Sequence, residues 1–135
     1  KEAIKVAKKN KNILPDEVKL CFKYGDFSTF KTKEFDIVIC NPPYVNKSDI
    51  NNIQKDIISY EPHEAIFAKE KGYFYYKKII QNLNKNYKCG QKVLFEMGIG
   101  QLEIISNLLK NNDFRLVRIK NDIAGIPRCI AAEKI

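Results

Sequence analysis

Asn41-Pro42-Pro43-Tyr44 is the segment of this sequence best equipped for chemistry. Two consecutive prolines fix their own φ angles and hold the residues before them extended, so Asn41 and the Pro42 carbonyl sit on a rigid loop. Neither proline has an N–H to give. The loop therefore offers acceptors, the Asn41 side-chain oxygen and the Pro42 carbonyl, suited to gripping both hydrogens of an NH2 group. Tyr44 can cover the face of a planar substrate. An amide or aromatic amine nitrogen is a poor nucleophile because its lone pair is delocalised. Two acceptors drawing on its hydrogens orient that pair toward an incoming group, so catalysis would rest on positioning and electrostatics rather than on covalent chemistry. Asn-Pro-Pro is also a common turn after a strand. A chance Asn-Pro-Pro-Tyr in a chain of this composition is on the order of one in a thousand, which favours the chemical reading.

The elements around the motif place it well. Residues 35–40, Phe-Asp-Ile-Val-Ile-Cys, form a β-branched run that predicts a buried parallel strand. The motif follows at its carboxyl end, where open α/β sheets hold their ligands. Upstream, Ala3, Ile4 and Ala7 predict a helix ending near residues 10–12, and the alternation of Val18, Leu20 and Phe22 predicts a strand closed by a Tyr24-Gly25-Asp26 turn. Residues 45–62 are polar and Asn-rich, and read as a long loop with one helical turn around residues 48–54, in a position to contact substrate.

Tyr73, Tyr76, Ile79, Ile80, Leu83 and Tyr87 then recur at helical spacing, closed by Lys88-Cys89-Gly90. A strand at 92–97, a turn at Gly98 and Gly100, and a helix marked by Leu102, Ile105, Leu108 and Leu109 follow, and strands at 114–120 and 128–134 end the chain. Helices and strands alternate until two strands come last without a helix between them. The fold class is α/β, a mostly parallel sheet with an antiparallel last strand.

Composition bounds the rest. With 135 residues, 44% hydrophobic and 30% charged, the chain suits a single domain with one core. Its +8 formal charge favours an anionic partner and is compatible with RNA or ribosome proximity, although usage biased to Lys, Asn and Ile explains much of the excess. Cys21, Cys40, Cys89 and Cys129 form no C-x-x-C pair, and the sole histidine, His63, has no cysteine near it. No metal site is expected, and reduced, mostly buried thiols are. No apolar run of membrane-spanning length occurs, so the expected location is the cytosol or an organelle matrix. The chain opens on Lys1 inside a helical pattern and reads as cut from something longer.

The sequence resembles class I methyltransferases, whose amino-group members carry the same four residues, and more closely the HemK-type release-factor glutamine methyltransferases, over nearly all its length. The matching pieces beyond the motif are Gly25-Asp26-Phe27, Tyr60-Glu61-Pro62-His63-Glu64-Ala65-Ile66-Phe67, residues 72–80, and Leu94-Phe95-Glu96-Met97-Gly98 followed by Gly100-Gln101. The resemblance implies S-adenosyl-L-methionine as cofactor and a glutamine in a peptide chain release factor as acceptor. It places Asp26 and Phe27 at the adenine, and Asn41 against both the cofactor's methionine moiety and the glutamine amide. Pro42, Pro43 and Tyr44 would cradle that amide. Glu61 and Pro62 match the family without a derivable chemical role, and His63 reads as structural.

The resemblance further implies a Rossmann-like sheet of order 3-2-1-4-5-7-6, with residues 18–22 as the third strand and 35–40 as the fourth. The glycine-rich cofactor loop after the first strand and the acidic residue ending the second have no counterpart in this sequence. The expectation is thus a partial methyltransferase catalytic domain over residues 1–135, its sheet truncated on the N-terminal side, with exposed edges and weak cofactor binding on its own. Two further functions are kept beside it. One is a DNA or RNA adenine amino-methyltransferase, which carries the same motif but normally brings nucleic-acid-binding elements for base flipping. The other is a non-catalytic protein- or RNA-binding remnant.

Overall fold

The computed structural model describes residues 2–15 and 17–135, so the expectation for Lys1 lies outside the described residues. The chain forms two compact units, divided after Phe30.

The first unit opens with helix α1 (Glu2–Asn10), continued by a single 3-10 turn at Lys11–Ile13. Glu2 at its start and Lys8 and Lys9 at its end suit the helix dipole, and no residue of α1 is buried. Residues 18–22 are not a strand. Alternating apolar residues form one only where a neighbouring strand takes up their backbone groups, and none pairs with them among the described residues. Val18 and Leu20 remain exposed.

The second unit is built on a four-stranded sheet. Its strands are β1 (Ile37–Cys40), β4 (Lys92–Glu96), β5 (Phe114–Asn121) and β6 (Pro127–Lys134), in the spatial order β1-β4-β6-β5. β1 and β4 are parallel, with Ile37 opposite Lys92 and Cys40 opposite Phe95. β6 runs antiparallel to both β4 and β5. Three strands therefore share one direction and the last opposes them, which is the 4-5-7-6 part of the expected order. A separate pair, β2 (Val45–Asn46) and β3 (Phe67–Ala68), is parallel and only two residues deep.

Helices α4 (Phe74–Asn86) and α5 (Leu102–Lys110) follow the predicted spacing. α4 buries Tyr76, Ile79, Ile80 and Leu83, α5 buries Ile105 and Leu109, and the sheet answers with Val93, Phe95, Phe114, Ile130 and Ala132. Each Val, Leu, Ile or Phe side chain among them contributes about 1.5–3 kcal/mol of apolar burial. The Tyr76 and Phe95 rings meet edge to face, 5.5 Å apart, and tie α4 to β4.

Three further expectations need correction. β1 is buried on one side only: Val38 is covered, whereas Ile39 is 78% exposed and Ile37 52%. It is an edge strand, and the face carrying the two isoleucines is largely uncovered. The stretch after the motif is more ordered than a loop. It holds β2, a six-residue 3-10 helix (Lys47–Asn52) whose Ser48 N–H donates to the Asn46 side chain, and helices α2 (Lys55–Tyr60) and α3 (His63–Ile66). The 3-10 helix and α2 are separated by the extended residues Ile53 and Gln54. The thiols, finally, are free but not buried: Cys21, Cys89 and Cys129 are exposed and Cys40 is half-buried.

Candidate active site

Asn41 to Tyr44 leave the carboxyl end of β1, and Glu96-Met97-Gly98 leave the carboxyl end of β4 beside them. Because the parallel register sets Cys40 against Phe95, the next residues along each strand, Asn41 and Glu96, become neighbours. Asn41 Nδ2 donates to Glu96 Oε2 at 3.0 Å, and the Tyr44 hydroxyl donates to Glu96 Oε1 at 3.1 Å. One carboxylate thus ties both ends of the motif. Its own backbone is held from below, where the fully buried Tyr76 hydroxyl donates to the Glu96 carbonyl at 2.6 Å.

A second clamp holds the loop's far end. Gln101, itself buried, donates through Nε2 to the Tyr44 carbonyl at 3.1 Å and accepts through Oε1 from the Gly98 N–H at 2.9 Å. Gly72 and Gly98 let the loop come close: a Cβ at Gly98 would lie 3.0 Å from the Tyr44 ring, and one at Gly72 would meet the Tyr44 carbonyl. Burial raises the Tyr44 hydroxyl above its ordinary titration range, the Glu96 carboxylate adds to this, and Arg128 opposes it. The phenol therefore remains a donor to Glu96 at neutral pH.

Asn41 is exposed, Pro42 is buried, and Pro43 and Tyr44 are half-buried. These four residues form one wall of a 220 Å³ cleft whose other wall is apolar, from Ile53, Ile57, Ala65 and Ile66. A 660 Å³ groove adjoins it on the far side of Tyr44, with Arg128, Lys71 and Asp49 on its rim. Asp26 and Phe27 belong to the first unit, where Asp26 is exposed and the Phe27 ring stacks on Phe30 at 6.4 Å. Glu61 and Pro62 join α2 to α3, and the His63 ring lies edge-on to Phe67 at 5.4 Å, a structural contact. Among the described residues there is no metal-holding cluster of His, Cys, Asp and Glu, and no helix long and apolar enough to cross a membrane.

The residues whose role sequence reasoning missed are Glu96, Gln101 and Gly72. Glu96 had a visible signal, a lone acid ending the apolar run Val93-Leu94-Phe95. Gln101 and Gly72 lie in segments that match the HemK-type family, but their contacts with Tyr44 show only in three dimensions.

A family model described as Eco57I restriction-modification methylase matches residues 1–118. The chain belongs to that family. Among curated relatives, this methylase-family chain is 36% identical over 134 residues to a protein named release factor glutamine methyltransferase from Thermodesulfovibrio yellowstonii, covering 98% of this chain and 48% of the relative. It is 31% identical to one of the same name from Clostridium acetobutylicum, covering 97% and 47%. The HemK-type resemblance is borne out by these names. The chain spans about half the length of these curated relatives.

Among solved structures, the fold of this methylase-family chain is similar to magnesium protoporphyrin IX methyltransferase from Synechocystis PCC 6803 with bound SAM, at a TM-score of 0.55 and 15% identity, covering 96% of this chain and 52% of that one. A SAM-dependent methyltransferase from Methanosarcina mazei matches at a TM-score of 0.52 and 15% identity, covering 99% and 78%. At that identity the likeness is one of fold, and it agrees with the α/β sheet and its antiparallel last strand.

Proposed function

We propose that this chain is the acceptor-side part of an S-adenosyl-L-methionine-dependent methyltransferase catalytic domain, one that methylates the side-chain amide nitrogen of a glutamine in a peptide chain release factor. The observation that carries the reading is the Asn41 amide, exposed at the end of a parallel strand and anchored by Glu96, in a chain whose relatives bear that enzyme's name. Asn41 and the Pro42 carbonyl accept from the two amide hydrogens, and Tyr44 lies along the amide plane. Their work is orientation: holding both hydrogens turns the lone-pair face of the nitrogen toward the methyl donor.

When bound, the cofactor supplies an electrophilic methyl on a sulfonium sulfur. Residues 31–135 fit the acceptor side of such a site, since Asn41 is accessible and its loop is doubly clamped. They do not supply a glycine-rich cradle for the adenosyl group: the sequence holds no such loop, and the close approaches at Gly72 and Gly98 are taken by Tyr44 and Gln101. Asp26 and Phe27 are assigned to the adenine side, and Asn41 to the methionine moiety. With bacterial relatives, a cytoplasmic location is proposed.

A second reading, an adenine amino-methyltransferase acting on DNA or RNA, draws support from the family description and the +8 charge, since the adenine amine presents the same NH2. Calorimetric titration of S-adenosyl-L-methionine into the complete gene product is the first test. Binding keeps both methyl-transfer readings, which an acceptor assay with release factor, DNA and RNA then separates. Absence of binding leaves a non-catalytic protein- or RNA-binding remnant.

A further inference from the structure

We infer that Glu96 is the positioning residue of this site, and that its carboxylate selects a neutral NH2 acceptor by fixing which end of the Asn41 amide faces it. The inference rests on the methyl-transfer reading above and adds the device that enforces it.

An asparagine amide has two ends of nearly equal shape, one a double donor and one an acceptor. Asn41 is exposed, so packing alone does not choose between them. Only the oxygen end can accept from a substrate NH2; reversed, the site would set donors against donors. An ionised carboxylate can only accept. The 3.0 Å contact with Glu96 Oε2 therefore has to be made by Nδ2, which leaves Oδ1 as the end free to face an acceptor.

The carboxylate is itself well fixed. Its other oxygen takes the Tyr44 hydroxyl at 3.1 Å, its residue's carbonyl takes the Tyr76 hydroxyl at 2.6 Å, and the strand register delivers it opposite Asn41. A carboxylate ligand has no hydrogen to offer Oδ1 or the Pro42 carbonyl, so an acidic side chain of the same shape as glutamine would set acceptors against acceptors. Glu96 thus acts through Asn41, without touching the reacting nitrogen.

The orientation is readable without turnover. In protein labelled with nitrogen-15 at asparagine, the Asn41 side-chain NH2 signals are identified by their loss in Asn41→Asp. Glu96→Ala should move these signals to free-amide positions and speed their hydrogen exchange about tenfold, the loss of one charge-assisted hydrogen bond. Glu96→Gln should keep most of the protection, because a glutamine can turn its own oxygen to Nδ2 and its NH2 to the Tyr44 oxygen. Identical Asn41 signals in the wild type and Glu96→Ala would overturn the inference.

Should Glu96→Ala fail to fold, a charge swap decides. Asn41→Asp opposes two carboxylates and should lower the melting temperature, and adding Glu96→Gln should restore most of it. No restoration overturns the pairing. Because neither readout uses methyl transfer, the orientation result stands apart from any failure of the catalytic reading.

Discussion

A Cβ on Gly72 would stand 2.2 Å from the Tyr44 carbonyl oxygen and 2.6 Å from Gln101 Nε2. The chain entering α4 therefore runs against the motif's backbone with no room for a side chain, and it does so at a φ of +91° that only glycine adopts without strain.

Gly72→Ala should combine a left-handed backbone penalty with overpacking and destabilise the protein by about 2–5 kcal/mol in urea denaturation. Gly125→Ala is the control. It also has a positive φ but open space around it, so it should cost only the backbone part, about 1–2 kcal/mol. Equal effects would show that the close approach to Tyr44 is not present.

Gln101→Leu keeps the bulk of the side chain but leaves the Tyr44 carbonyl and the Gly98 N–H without their partner. The expected loss is about 2–4 kcal/mol, from two polar groups left unpaired. Hydrogen exchange at the Gly98 amide should quicken in step. An unchanged rate would mean that Gln101 does not clamp the loop.

Alkaline pH should weaken the fold. Burial pushes the Cys40 thiol from 9.0 up to about 11 and the Tyr87 hydroxyl from 10.0 up to about 12. Both groups lose protons more readily when unfolded, so their contribution is complete below about pH 9 and is lost as pH rises through the folded values. The melting temperature should be flat from pH 7 to about pH 9 and fall above it.

The same burial predicts thiol reactivity. Near pH 8, Cys21, Cys89 and Cys129 should be alkylated quickly and Cys40 slowly, because Cys40 is partly covered and holds its proton. Peptide mass mapping over a time course separates the four. Fast labelling of Cys40 would contradict its placement on β1.

Most of the second unit was legible because its signals are local. The spacing of Tyr76, Ile79, Ile80 and Leu83 specifies α4, and the run before Asn41 specifies β1. What escaped depends on partners distant in sequence. Residues 18–22 alternate like a strand, yet alternation needs a neighbour to pair with. Ile37 and Ile39 read as core, yet their burial depends on a covering layer that the sequence pattern does not reveal. Within the site, the motif and the segment holding Glu96 were visible, whereas their pairing was not: Glu96 lies 55 residues from Asn41, and only the β1–β4 register brings them together.

The most direct test of the account is methyl transfer from labelled S-adenosyl-L-methionine by the complete gene product, offered release factor, DNA and RNA in parallel, with wild type and Asn41→Ala. The account predicts label on a release-factor glutamine, lowered about a hundredfold or more in Asn41→Ala, the scale for losing a positioned hydrogen-bonding group. Label on nucleic acid alone, or transfer to the release factor unchanged by Asn41→Ala, would contradict it.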